Sequence, residues 1–147
     1  MSAHDHASPH HRAFVESNRD HVLMITNHGI HQWDVIPGLP DTGGQNVFVQ
    51  NFAESMARAG YRLSITNRGG FPHPLTGEPR AGLHYRDDRQ RIVYVEDGFP
   101  EFVRKEDMEE RIPALAENLW QRLRDEDTLP QLIISHYWDA AALGNAI

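Results

Sequence analysis

Three short groups of residues in this chain have the types and spacing to hold an anion. The first is Pro40-Asp41-Thr42-Gly43-Gly44-Gln45-Asn46, where two adjacent glycines run straight into an amphipathic segment. In that segment Phe48, Phe52 and Met56 fall at i, i+4 and i+8, with Val49 and Ala53 beside them, which is one apolar stripe of a helix. A glycine turn that opens a helix presents N–H groups without intrahelical partners at the positive end of the helix dipole. Without side chains in the way, an anion can come close to the backbone. Gly43, Gly44 and Gln45 therefore make a candidate phosphate seat, the alternative being a glycine pair that only forms a tight turn. The second group is Lys105, a cation on a long flexible arm; the third is His136-Tyr137, an imidazole and a phenol hydroxyl directly after an apolar run. Lys105 as a solvated lysine and Tyr137 as a rim aromatic are the plainer roles.

The elements that must position these groups are legible in order. His21 to Asn27 reads as a strand buried on both faces, followed by Gly29. From His28 to Gly43 the chain has no periodicity, and a loop of more than about 12 residues is uncommon unless it serves a site. A helix over Gln45 to Ala59 follows, with Asp41 and Thr42 as candidate N-caps and Gly60 at the left-handed C-terminal position. Tyr61 to Asn67 is a second strand, parallel to the first through a right-handed crossover. The Gly- and Pro-dense Arg68 to Gly82 is a loop. His84 to Arg86, a turn at Asp87 and Asp88, and Arg91 to Glu96 make a short strand and a third main strand. Met108, Ile112, Leu115, Leu119 and Leu123 form a helical stripe from about Glu106 to Arg124. Pro113 inside it either kinks one helix or restarts a second in its first turn. Gln131 to Ser135 is a fourth buried strand, and Ala140 to Ile147 begins another helix with no strand after it, as expected of a truncated piece of a longer protein.

Residues 1 to 19 carry His4, His6, His10 and His11 without periodicity and read as a disordered polar tail, with metal binding by those histidines as the alternative. Residues 20 to 147 then form one domain. At 147 residues and 39% apolar the chain can bury one core, and its net charge of -7 argues against nucleic acid or an acidic membrane surface as partner. Cysteine is absent, which excludes disulfides and thiolate metal sites. No apolar run reaches the roughly 20 residues that a membrane span requires. A soluble, cytoplasmic protein is the expectation.

Strand and helix in alternation specify an α/β fold, an open and mostly parallel Rossmann-like sheet with helices on both faces. In the common strand order the first and fourth strands are neighbours, and ligands bind outside their carboxyl ends. That topology brings the Gly43-Gly44 turn and His136-Tyr137 to one crevice, with Lys105 in reach. A standard dinucleotide site is not written here: no GxGxxG follows the first strand, and the second ends Thr66-Asn67-Arg68 without an acid. A response-type domain would need an acidic cluster for Mg²⁺ that the first strand lacks. A stand-alone anion-binding or regulatory domain without catalysis is the rival to an enzyme.

The helix PDTGGQNVFVQNFAESMARAG resembles the glycine-loop helix of the family 4 retaining glycosyltransferases, in particular the sucrose-phosphate synthase and sucrose synthase branch. RIVYVEDGFPEFVRKEDMEE and LIISHYWDAAALG continue the likeness in the family's order, over roughly residues 21 to 147, and the SHYW form is also similar to the branch that glycosylates inositol phosphate in mycothiol synthesis. The resemblance implies the N-terminal, acceptor-side half of a GT-B fold. It places Gly43, Gly44 and Gln45 at the donor diphosphate and acceptor sugar with Asn46 alongside, and Lys105 and Tyr137 at the acceptor's phosphate. It also implies a nucleotide-sugar donor (UDP-, ADP- or GDP-hexose) used without a bound metal or other cofactor. The family's remaining phosphate ligands, its histidine near the reacting sugar and its donor-binding domain come later in the chain, so these 147 residues are expected to hold no catalytic residue and to be inactive alone. Pro100 and Glu101 stand where sucrose-phosphate synthases usually carry a lysine. That substitution points away from fructose 6-phosphate and still allows another phosphorylated sugar or polyol.

Overall fold

The computed structural model describes residues 8–36 and 38–147. Its elements are α1 (Pro9–Val15), β1 (His21–Ile25), α2 (Gly44–Arg58), β2 (Arg62–Arg68), β3 (Gly82–Tyr85), β4 (Gln90–Val95), a 3-10 turn (Lys105–Arg111), α3 (Ile112–Asp125), β5 (Leu132–Ser135) and α4 (Tyr137–Ala146). One sheet has the order β3-β4-β2-β1-β5, with β4, β2, β1 and β5 parallel and β3 antiparallel at the edge. The expected neighbours are in register, Leu23 opposite Ser64 on one side and Ile133 on the other.

Alternate residues of β1 bury to opposite faces, which is why its sequence reads as an unbroken apolar run. Val22 and Met24 pack with Leu63, Ile65 and Ile92 beneath α2, whereas Leu23 and Ile25 pack with Val93 and Val95 beneath α3 and α4. Each such fully buried aliphatic side chain stabilises the fold by about 1.5–3 kcal/mol. The proline at 113 falls in the first turn of α3, where its missing N–H costs nothing. The stripe therefore divides into the 3-10 turn carrying Met108 and the helix burying Ile112, Leu115, Leu119 and Leu123.

Four expectations are corrected. The apolar face of α2 is Val49, Ala53 and Ala57, rotated by one residue from the expected line; Phe48 is 58% exposed and stacks on Phe52 at 6.0 Å. Small side chains let the helix come close to the sheet, and the bulky rings are left on its flank. Capping of α2 also differs: Gly43 N–H donates to Asn46 Oδ1 at 3.0 Å, while the Thr42 hydroxyl donates to Pro40 O and accepts from Ile30 N–H. At the other end Gly60, at φ 109, completes a Schellman turn with Tyr61 N–H donating to Met56 O at 3.2 Å.

The third correction is at β5, whose Leu132 and Ile133 are 48% and 37% exposed because the strand forms the sheet's edge. The last concerns the polar tail. His4 and His6 lie outside the described residues, but Pro9–Val15 is helical, capped by Ser8, and buries Phe14 completely. The Phe14 ring lies 4.3 Å from the Arg91 guanidinium carbon, and Arg62 Nη1 donates to the carbonyls of Phe14 and Val15 at 2.7 and 3.1 Å. His10 and His11 contact Asp88 and the Tyr85 hydroxyl, at 2.6 and 2.7 Å. A single buried ring among charges gives no periodicity, so the helix was invisible to pattern.

Candidate functional site

At the carboxyl ends of β1, β4 and β5 the chain leaves an open cleft of about 270 Å³. Gly43, Gly44 and Gln45 form one wall, Lys105 and Tyr137 the facing side, and His28, Asp41 and Thr42 the floor and rim. Five of the seven candidate residues therefore meet, drawn from three separated segments. The amides of Gly44 and Gln45, the first two positions of α2, have no intrahelical acceptor and carry the positive end of its dipole.

The glycines are not required by the turn. Gly43 is extended at φ 174, and a Cβ added to either residue would meet no atom within 4 Å. What their missing side chains provide is the open space above the helix terminus. Gly29 is the opposite case: at φ 74, its added Cβ would lie 2.2 Å from Asp41 O, so this glycine lets the loop after β1 press against the segment leading into α2. The same segment fixes the lysine, because Asp41 Oδ2 accepts from Lys105 N–H at 3.2 Å and holds the start of the 3-10 turn at the cleft rim. Tyr137 is 60% exposed with φ 69, a left-handed conformation costing about 1–3 kcal/mol in a non-glycine residue and concentrated at functional sites.

Two candidates are turned away. Asn46 is buried, and its amide bonds Ile30 O and His31 Nδ1 as well as the Gly43 N–H, so it braces the loop that carries the cleft wall. His136 sits at the N-cap of α4 with its ring edge-on to Phe48 at 6.1 Å, and burial lowers its pKa. Its backbone N–H donates to Ile25 O, and this bond seats Tyr137.

One cleft residue was missed by the sequence reading. His28 follows β1, its Nδ1 lies 3.1 Å from both carboxylate oxygens of Asp139, and its ring meets Tyr137 edge-on at 5.0 Å. Nothing local signals this pair, since its partners are 111 residues apart. The hydrogen bond to Asp139 raises the His28 pKa against the opposing effect of burial. Cation, imidazole, phenol and helix terminus together suit a doubly charged oxyanion such as a phosphate monoester. Among the described residues no group of three or more His, Asp or Glu side chains is placed to hold a metal, and no helix is long and apolar enough to cross a membrane.

The segment that the sequence analysis marked as divergent is rigidly held. Arg68, buried at the end of β2, pairs with Asp97 at 2.8 and 3.0 Å and donates to the carbonyls of Phe99 and Glu101 at 2.7 and 2.9 Å. Pro100 and Glu101 thus sit on an exposed loop whose backbone is fixed from behind.

No protein-family model matches the chain. It is 29% identical over 126 residues to the mannosylfructose-phosphate synthase of Agrobacterium fabrum, covering 86% of this chain and 26% of that protein. It is 32% identical over 111 residues to the D-inositol 3-phosphate glycosyltransferase of Corynebacterium jeikeium, covering 74% and 24%. Among solved structures, sucrose-phosphate synthase from Thermosynechococcus elongatus superposes with a TM-score of 0.71 at 23% identity, over 86% of this chain and 29% of that one. The chain spans about a quarter of the length of the curated relatives it matches.

Proposed function

We propose, from the chain's homology to sugar-phosphate glycosyltransferases and the fold it shares with sucrose-phosphate synthase, that it is the N-terminal, acceptor-side part of a family 4 hexosyltransferase of the GT-B fold. The protein moves a hexosyl group from a nucleotide sugar to a phosphorylated sugar or polyol with retention of configuration, and residues 20 to 147 hold the acceptor. The observation that carries this reading is the meeting of the α2 N-terminus, Lys105 and Tyr137 around one cleft. In it the acceptor's phosphate lies between the Lys105 ammonium and the Tyr137 hydroxyl, and His28 supplies a third contact. The amides of Gly44 and Gln45 face the donor's diphosphate and stabilise the negative charge that grows there as the nucleotide leaves.

The test is a donor and acceptor screen on the full-length protein, with release of nucleoside diphosphate as the readout. Inositol 3-phosphate and fructose 6-phosphate are the first acceptors to try, because the relatives' names contain these two skeletons. An anion-binding domain without catalysis would release no nucleoside diphosphate with any pair.

Two substitutions test the placement. Lys105→Ala is expected to raise the acceptor KM about tenfold, the worth of one charge-assisted hydrogen bond, and to leave the KM for the nucleotide sugar nearly unchanged. An unaltered acceptor KM would remove Lys105 from the site. Gly44→Leu fills the open space above α2. It should fold with stability within about 1 kcal/mol of the parent, because a leucine is a better helix former than glycine and its Cβ meets nothing, while kcat/KM falls at least as far as with Lys105→Ala. Retained turnover would show that the space over Gly44 is not used.

A further inference from the structure

We propose that Asp139 is a positioning residue of the anion cleft: its buried carboxylate fixes the His28 ring with Nδ1 as donor, leaving Nε2 to grip an oxyanion when the ring is charged and a hydroxyl when it is neutral. The inference rests on the anion-binding reading of the cleft and extends it to a proton-dependent contact. The side chains of Asp139 and His28 are 0% and 5% exposed, and the carboxylate has no other hydrogen-bond partner among the described residues. A carboxylate taken out of water with one partner is costly unless that partner carries the compensating charge. An ionised carboxylate only accepts, so the shared proton sits on Nδ1 and the tautomer of the neutral ring is decided by Asp139.

The other ring nitrogen has no partner among the described residues, and His28 lines the cleft; in this proposal Nε2 is the atom that meets a ligand. As imidazolium, Nε2–H donates to a phosphate oxygen; as neutral imidazole, Nε2 is an acceptor and repels that oxygen but takes the hydrogen of a sugar hydroxyl. The charged groups around the ring are Asp139 from α4, Asp41 from the segment before α2 and Lys105 from the 3-10 turn. The two carboxylates favour the charged ring, Asp139 through its hydrogen bond most of all, while Lys105 opposes it. The Tyr137 ring packs against the His28 ring in a T-shaped contact at 5.0 Å.

Inorganic sulfate serves as the probe, because its double charge does not change between mildly acidic and mildly basic pH, and imidazole NMR on this chain gives the readout. His28 is expected to titrate above 6.5, to carry its proton on Nδ1 when neutral, and to lose sulfate affinity about tenfold as pH rises through its own transition. Asp139→Asn should move the His28 titration to lower pH and carry the affinity step with it. An affinity step that stays in place in Asp139→Asn, or a neutral wild-type ring protonated on Nε2, overturns the role of Asp139. The tautomer is read on the wild-type chain and so decides the matter even if the variant does not fold. Sulfate that binds at no pH overturns the anion cleft itself, a separate failure that leaves the His28 titration measurable.

Discussion

Glu126→Ala is expected to lower the unfolding free energy by about 3–5 kcal/mol, because it strands the Arg91 guanidinium in the interior without a counter-charge. Arg91 is wholly buried, with Nη2 donating to Glu126 Oε2 at 2.8 Å and Nε to Ser64 Oγ at 2.7 Å. Glu126 itself stands at the C-cap of α3, where an acid faces the negative end of the dipole, and it is compensated there by Arg91, by the Thr128 hydroxyl at 3.1 Å and by Arg122 at 3.6 Å. Against a typical stability of about 5–15 kcal/mol the loss is a large fraction of the whole. Urea denaturation measures it, and the double variant Arg91→Met with Glu126→Leu should recover more than half, since no orphaned charge remains. A single-variant loss below about 1 kcal/mol would mean that water reaches the guanidinium. This cluster lies at the amino ends of the strands and the cleft at their carboxyl ends, so Glu126→Ala protein that is folded in the cold should bind anions as the parent does.

Acid is expected to cost nearly as much. Burial, helped by the Arg91 charge, holds His21 down to about 3, and burial with the nearby His136 holds His31 down to about 4, from an ordinary value of 6.5. Both rings are neutral in the fold: His21 Nδ1 donates to Thr128 O at 2.6 Å and Nε2 accepts from the Ser64 hydroxyl at 2.8 Å. Below 6.5 the unfolded chain takes up protons that the folded chain refuses, so stability is complete above that pH and declines toward 4 for His31 and 3 for His21. At pH 5 each ring accounts for about 2 kcal/mol, about 4 kcal/mol together. His28 has the opposite sign. Its raised pKa adds stability that is fully present below 6.5 and lost as pH rises through its folded value. Melting temperature should therefore fall steeply from pH 6.5 to 5, and the His21→Gln variant should show a shallower slope. A melting temperature that is flat across that interval would show that one or both rings accept a proton in the folded state.

Much of the molecule follows from residues close together in the chain. Apolar runs such as HVLMI, the spacing of Met108 to Leu123 and Gly60 at the end of α2 each record a local backbone preference, and alternation of strand and helix points to the common sheet order in which the first and fourth main strands touch. With that order given, the Gly43-Gly44 turn and His136-Tyr137 are expected at one crevice with Lys105 in reach; Gly43, Gly44, Gln45, Lys105 and Tyr137 line it, and His136 does not. Which face of a side chain meets which neighbour was decided only in three dimensions. Phe48 and Val49 are both apolar, and hydrophobicity cannot tell that the smaller residues face the sheet; Asn46 beside the glycines looks like a ligand until its amide is seen bracing the loop. Phe14 amid charges, Arg91 with Glu126 and His28 with Asp139 are pairings across 35 to 111 residues of chain. Periodicity reports on a residue's own turn or pleat, whereas a buried charge is tolerated only where a distant partner arrives, and that arrival belongs to the folded chain.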